Sequence, residues 1–456
     1  MKKIVLILFS IGFILSRLYH LLAMPPFLDE TIYLRWLTII KSSRDWLLPL
    51  KEFGWEPLNI WLSTLLSYLV KDNLLSLRLT AAFFGGLSLL VAYKLTKTLF
   101  NHQAAIFISL ILIFSPLILI HDRLGLRGDS AVTFVSFLSL YGLSLRLIKA
   151  KPKAVYWVSL AVILGFLIKS TAFILAPIAL LSYLCFRPKL TRHDFLAAIL
   201  MLLPLIFYFF TGTLNNVLNK QTVFLLPLDQ FASQFKANLT QAGLWTYQYL
   251  SWPVLLTLFL GLIVSFKTFK PAWVLIILNT LPPLLFILIS AKIFFPRYIL
   301  SLTALSLLFA AVATAWLYQH LPQLFRLGLI IIFIPNLILS FQVIKDMTSA
   351  QLPEIERWQY VTGWPSGYGL KELVNYLKID TPSVLVTETD DLIKTGVAYY
   401  WPDHPFTITQ TATKSAYFVV NINNQLPEGI EGELIKDFPR PENKSSIKLF
   451  KVYSSL

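Results

Sequence analysis

Eleven apolar runs, most of them close to the length of a bilayer's hydrocarbon core, decide what this chain can fold into. They fall near residues 4–23, 78–98, 104–120, 130–148, 154–168, 171–186, 194–211, 248–266, 271–290, 298–317 and 325–343. A helix rises 1.5 Å per residue, so about 20 apolar residues cross hydrocarbon about 30 Å thick. Backbone polar groups in lipid must be paired within the chain, which makes each run a helix. Composition agrees: 56% of residues are hydrophobic, 14% are charged and the mean hydropathy is +0.67, beyond the range of a soluble domain. The expected class is a multi-pass α-helical membrane protein. Lys2 and Lys3 precede the first run, which has no clear small-residue cleavage pattern, so it is read as a retained anchor.

The formal net charge of +15 raises the question of nucleic acid. The Lys and Arg residues sit in short loops between apolar runs, and no basic-aromatic module accompanies them, so no nucleic-acid partner is expected. The single cysteine, Cys185, allows neither an internal disulfide nor a cysteine-based metal site.

Orientation turns on Leu58–Val70. Leu58, Trp61, Leu62, Leu65, Leu66 and Leu69 share one face at helical spacing, while Asn59, Ser63, Thr64 and Ser67 occupy the other. Thirteen residues of helix reach only about 20 Å, so this segment is expected to lie in the interface. If it does not cross, Lys94 and Lys97, Lys149 to Lys153, Arg187 to Arg192, Lys267 with Lys270, and Arg326 all fall on the side of Lys2 and Lys3. That is a positive-inside distribution with a cytoplasmic N-terminus in the cell membrane. Loops 24–77, 121–129, 212–247 and 291–297 then face outward.

After about residue 344 the chain changes character. Charges become frequent, and short strand-like runs appear at 383–388, 405–410, 416–422 and 447–453 with helical patterns between some of them. The expected organisation is a membrane domain over 1–344 and a small soluble extracytoplasmic α/β domain over 345–456.

Polar residues on the outer face mark the candidate chemistry. Asp29 and Glu30 stand together just past the first run, where a carboxylate pair must sit in water or in a polar cavity. The plainer reading of Asp29 is the N-cap of an amphipathic helix, a role compatible with chemistry, and that of Asp129 a cap at the start of a span. Arg123, Arg127 and Arg297 read either as ligand-binding cations or as interfacial anchors. Lys169, between two apolar spans, needs a partner or a wet cavity. Glu56, Lys51 and Asp122 do not stand out from loop solvation. His20 and His121 read as bilayer-edge histidines, with no metal-binding spacing.

The order of "FLDETIYLRW", "WEPLNIWLSTLLSYL", "DRLGLRGDS", "GFLIKS" and "FFPRYIL" resembles the GT-C-fold glycosyltransferases, in particular the protein O-mannosyltransferase and lipid A aminoarabinose transferase family, over about 1–320. The resemblance implies about eleven transmembrane helices, interfacial helices in the first outer loop, and a polyprenyl-phosphate sugar donor. It also implies a protein, lipid or glycan acceptor, and inversion at the anomeric carbon. Asp29 matches the family's catalytic base and Asp129 its second acid, while Lys169 and Arg297 match cations for the lipid phosphate. Glu30, Arg123, Arg127 and Tyr298 join them as expected substrate-binding residues. The chain departs from the pattern at Glu56, which precedes Pro57 where relatives often carry a basic residue or a second proline. That makes Glu56 a candidate ligand for a divalent cation and leaves a metal requirement open. The competing class is a multi-pass transporter or lipid-linked sugar flippase, for which repeated halves and midplane charges are expected.

Overall fold

The computed structural model describes the whole chain except residues 1, 126–127, 324–330, 389–390, 411–415, 424 and 454–456, and the side chains of 2–6 and 228. The membrane part opens with α1 (Lys2–Leu18), followed in the first outer loop by α2 (Leu28–Ser43), α3 (Leu48–Phe53) and α4 (Leu58–Val70). Then come α5 (Asn73–Leu99), α6 (His102–Ile113), α7 (Pro116–Arg123), α8 (Asp129–Leu143), α9 (Val155–Ile168) and α10 (Leu175–Phe186). The remainder are α11 (Arg192–Leu200), α12 (Leu203–Phe210), α13 (Leu214–Phe224), α14 (Phe231–Thr268), α15 (Lys270–Ser290) and α16 (Leu300–His320), with a further helix at Ile334–Lys345.

Local chemistry explains several of the ends. The Asp72 and Asn101 side chains accept the backbone N–H of Leu75 and Ala104 and so cap α5 and α6, and Thr191 with Asp194 forms a capping box on α11. Pro116 ends α6, and the chain turns by 60° into α7. Carbonyls freed at that bend are taken by a side chain from another helix: Arg17 Nη2 donates to Leu112 O at 3.0 Å, and Nη1 donates to Ile113 O. Arg17 also pairs with Asp122 at 3.0 Å. Gly85 makes room, since a Cβ there would stand 2.5 Å from the Asp122 carboxyl carbon.

Six described helical stretches are long and apolar enough to cross a bilayer: Asn73–Leu99, Asp129–Ile148, Arg192–Phe210, Phe231–Thr268, Lys270–Ser290 and Leu300–His320. The bent α6–α7 pair makes a seventh if it is counted as one span. Other apolar runs form shorter helices, including Ile7–Leu18, Pro152–Ile168 and Ser170–Phe186, and the run at 325–343 lies partly outside the described residues. Phe195, Ile199, Phe210, Phe259 and Phe341 are exposed on the outside of the bundle, as suits a surface solvated by lipid. Within it, α14 and α16 approach closely at Gly261, where a Cβ would meet Phe309 O at 1.8 Å. The α14 helix begins well before its apolar run: it starts at Phe231, breaks at Ser251 (φ 60, ψ 158) and resumes through Pro253.

The α4 helix turns its polar face inward. Asn59, Ser63, Thr64 and Ser67 are buried, with Ser63 Oγ donating to Thr80 Oγ1 at 3.0 Å, while Leu65 and Leu69 are 55% and 81% exposed. An apolar outer face and a polar inner one suit a helix lying against lipid.

The C-terminal unit holds one sheet in the order β2-β1-β3-β5-β4. Its strands are β1 (Val384–Thr387), β2 (Thr407–Thr409), β3 (Tyr417–Val420), β4 (Gly432–Pro439) and β5 (Ser446–Val452); β1 runs parallel to β2 and β3, and β5 antiparallel to β3 and β4. Helices Leu370–Ile379 and Asp391–Tyr400 bury Leu373, Leu377, Ile393 and Val397 against Leu385, Val419 and Leu449. The unit rests on the first outer loop: Leu28 N donates to Pro365 O at 2.9 Å, and Tyr399 OH donates to Asp72 Oδ2 at 3.3 Å.

Candidate active site

Asp29 and Glu30 are the second and third residues of α2, whose N-cap is Phe27. The cap role open to Asp29 in the sequence is therefore corrected: the carboxylate lies inside the first turn, where the helix dipole favours negative charge. Successive helix residues point about 100° apart, which sends the two acids to different partners. Glu30 turns into the scaffold. Arg78 donates to it twice, Nε to Oε1 at 2.8 Å and Nη2 to Oε2 at 2.7 Å, and Gly125 N donates to Oε1 at 2.8 Å. Asp29 turns toward Arg297, whose Nη1 is 3.1 Å from Asp29 Oδ2, and Gln359 Nε2 donates to the same oxygen at 3.5 Å.

Asp129 opens α8 after Gly128, which takes a left-handed φ of 76° and lies so close to Asn59 that a Cβ would stand 1.9 Å from its Nδ2. Lys169 ends α9 in an extended conformation (φ -165, ψ 139), which frees its side chain from the helix surface. Its Nζ pairs with Asp129 Oδ1 and lies 5.4 Å from the Tyr298 ring centre. Arg297 sits on the turn Pro296–Tyr298, its guanidinium 4.6 Å from the Phe295 ring centre. Burial lowers the pKa of this guanidinium, but the charge of Asp29 beside it, with that of Asp129, more than offsets it; the net shift is upward. Arg297 therefore stays cationic. Two acid–cation pairs, Asp29 with Arg297 and Asp129 with Lys169, are thus nearly excluded from solvent.

Both cations line an open cavity of about 680 Å³. Its polar lining includes Lys169, Arg297, Tyr298, Glu56 and Lys220, and its apolar lining Phe173, Ile174, Pro177, Ile178, Leu181, Pro282, Phe286 and Ile287. Leu181 and Phe286, at 37% and 52% exposure, stand where the cavity meets the lipid-facing surface. A charged head with an apolar trough behind it fits an amphiphile whose anionic group carries a long hydrocarbon.

The other expected residues are placed differently. Arg123 Nη1 donates to Ser16 O at 2.9 Å and to Arg17 O at 3.3 Å, closing the end of α1. Glu30 and Arg123 thus each have partners within the membrane domain. Arg127 lies outside the described residues. Glu56 Oε2 accepts from Lys220 Nζ at 2.5 Å, and among the described residues no three His, Cys, Asp or Glu side chains come together to hold a metal. An ammonium in hydrogen-bond contact with the only carboxylate offered does not fit a divalent cation. Asp122 is no solvated loop acid but the buried partner of Arg17. His121, read as a bilayer-edge residue, is buried with its Nε2 3.4 Å from Glu356 Oε1.

Four residues of this neighbourhood are not among the site residues expected from the sequence: Lys220, Glu356, Gln359 and Tyr360. The last three reach the membrane-domain acids from the segment that follows the last membrane helix, where Trp358–Thr362 forms a π-helical turn. Such turns recur at functional sites. The local sequence offers only "EIERWQYVTGW" as a signal.

Comparison with known proteins is consistent with this geometry. The sequence profile of the family described as dolichyl-phosphate-mannose-protein mannosyltransferase matches residues 56–211. No curated protein sequence matches the chain. Among solved structures, the chain is similar to ArnT from Cupriavidus metallidurans in the apo state, with a TM-score of 0.65 at 15% identity over 98% of this chain and 97% of that one. ArnT bound to undecaprenyl phosphate matches with a TM-score of 0.63, again at 15% identity and over the same shares. The archaeal oligosaccharyltransferase AglB from Archaeoglobus fulgidus, in complex with an inhibitory peptide and a dolichol-phosphate, matches at 0.55 and 13% identity over 87% of this chain and 64% of that one. The chain is a multi-pass membrane protein with the GT-C glycosyltransferase fold, carrying a small C-terminal sheet domain.

Proposed function

We propose that this protein is a membrane glycosyltransferase that moves a sugar from a polyprenyl phosphate to a hydroxyl of a protein, lipid or glycan at the outer membrane face, with inversion at the anomeric carbon. The observation that carries the reading is the amphipathic cavity, with Lys169 and Arg297 in its polar lining and each of them against an acid. Similarity to ArnT with undecaprenyl phosphate and to AglB with a dolichol-phosphate supports the donor class. In the proposed step the acceptor hydroxyl gives its proton to the Asp29 carboxylate as its oxygen bonds to the anomeric carbon. The bond from that carbon to the phosphate oxygen breaks, and the polyprenyl phosphate leaves with the electron pair. Lys169 and Arg297 stabilise the departing anion, fixed positive charge acting where negative charge develops. Asp129 holds Lys169 in place.

The positive-inside distribution of Lys and Arg supports a cytoplasmic N-terminus in the cell membrane and an extracytoplasmic domain from about residue 345. Purified protein given a radiolabelled polyprenyl-phosphate sugar and crude membrane acceptors tests the reaction. Wild type should transfer label and Asp29→Asn should lose it by about 100-fold or more, the scale of a general base. Undiminished transfer by the variant would remove Asp29 from the role, and no transfer from any such donor would remove the reaction.

A further inference from the structure

The segment that enters from the C-terminal unit carries polar atoms that the proposed chemistry leaves unused. Glu356 Oε2, Gln359 Oε1, Tyr360 OH and His121 Nε2 are all buried, and none has a hydrogen-bond partner among the described residues. Buried polar groups are nearly always paired, so these atoms, of which only His121 Nε2 has a near neighbour in Glu356 Oε1 at 3.4 Å, mark a place whose partners arrive with a ligand. They gather around the reacting acids. Gln359 contacts Asp29, Glu356 contacts His121, and the Tyr360 hydroxyl lies within electrostatic reach of Glu356, Arg297, Asp129 and Asp29.

The chemistry of the set narrows the ligand. His121 Nδ1 is 2.7 Å from Leu117 O, so it carries a proton and leaves Nε2 as the acceptor of a neutral ring. Burial, with the charge of Asp129 adding to it, raises the Glu356 carboxyl well above its ordinary range and keeps it protonated. Burial, followed by Glu356, likewise keeps the Tyr360 phenol neutral. Neutral, directional donors and acceptors suit hydroxyls, whereas the cations that line the cavity suit phosphate. Arg297 both lines that cavity and pairs with Asp29, so the cavity and these groups meet at Asp29.

We infer that Glu356, Gln359, Tyr360 and His121 form a subsite for sugar hydroxyls beside Asp29, which makes the C-terminal unit part of the active site. This rests on the glycosyl-transfer reading. The sugar belongs either to the donor or to a glycan acceptor, and the test separates the two.

Tyr360→Phe removes one oxygen and keeps the ring, and Glu356→Gln keeps the shape of its side chain. Full-length wild type and both variants are compared by melting temperature and by binding of bare undecaprenyl phosphate and of undecaprenyl phosphates carrying glucose, mannose or arabinose. The acceptor KM is measured alongside. The Phe variant should melt at or above wild type and bind bare undecaprenyl phosphate as wild type does. Affinity for the preferred sugar-bearing lipid should fall about tenfold, the worth of one hydrogen bond, if the subsite serves the donor. An acceptor KM raised about tenfold with unchanged donor affinity would place the acceptor there. Unchanged affinities and KM in both variants would overturn the subsite while leaving the transfer reaction standing. A lowered melting temperature for Tyr360→Phe would show a structural bond to its hydroxyl and overturn that residue's role. Wild type that binds no polyprenyl phosphate would overturn the reaction itself, and the subsite with it.

Discussion

Arg297 Nη1 lies 3.1 Å from Asp29 Oδ2, and the same arginine lines the cavity in which a lipid phosphate would sit. One cation therefore faces two anions, and a carboxylate held by a guanidinium is a weaker base than a free one. On the proposed reaction, donor phosphate competes with Asp29 for Arg297 and releases the base as it binds. Asp29→Asn should then bind bare undecaprenyl phosphate about tenfold more tightly than wild type, about 1.4 kcal/mol of lost competition, while transfer is lost. Binding to protein in lipid nanodiscs measures this, and affinity that is unchanged or weaker would mean the pair does not compete.

Lys169 and Asp129 form the second buried pair. Lys169→Met leaves Asp129 buried without its cation, a change that costs about 3–5 kcal/mol, so both the melting temperature and lipid-phosphate binding should fall. Adding Asp129→Leu should recover much of the stability and none of the binding. Thermal melts of the single and double variants, beside the binding assay, check the two halves separately.

The apolar trough can be filled without touching a charge. Ile178→Trp adds bulk where Ile178 lines the cavity along with Phe286 and Ile287, and the open volume there spares it the usual overpacking cost of about 1–3 kcal/mol. Affinity for undecaprenyl phosphate should drop more than tenfold, whereas a short-chain prenyl phosphate should lose little, with melting within about 2 °C of wild type. Equal losses for long and short chains would place the hydrocarbon elsewhere.

Glu356 supplies a pH signature. Burial, then the charge of Asp129, raises its carboxyl well above the ordinary 4.5, and His121 faces it at 3.4 Å. Above that value the unfolded chain releases this proton and the folded chain keeps it. The native state then binds more protons, and stability falls as pH rises, by about 1.4 kcal/mol per unit until the folded value is passed. Glu356→Gln has no such component, so its melting temperature should gain on that of wild type from about pH 4.5 upward. Parallel melting curves between pH 4 and 8 would give Glu356 an ordinary carboxyl.

Much of the architecture was legible because it depends on local pattern. Apolar run length announces lipid-spanning helices, and the two faces of Leu58–Val70 announce a helix lying against the bilayer. Four of the five strands could be read, but β4 could not: its alternation is broken by the register shift between Leu434 and Lys436. The start of α14 at Phe231 was hidden because its first half is polar enough to read as loop.

By itself, the sequence determined the membrane class, the helical periodicity and the set of acids and bases from which a site could be built. Tertiary structure alone decided which charges meet. Asp29 and Glu30 are adjacent in the chain, yet one joins Arg297 beside the cavity and the other is spent on Arg78, because a helix turns neighbours apart and the partner is set by distant segments that fold against each face. The same holds for Glu356, Gln359 and Tyr360. Nothing local links them to Asp29, and only the docking of the C-terminal unit on the first outer loop brings them within reach of the acids.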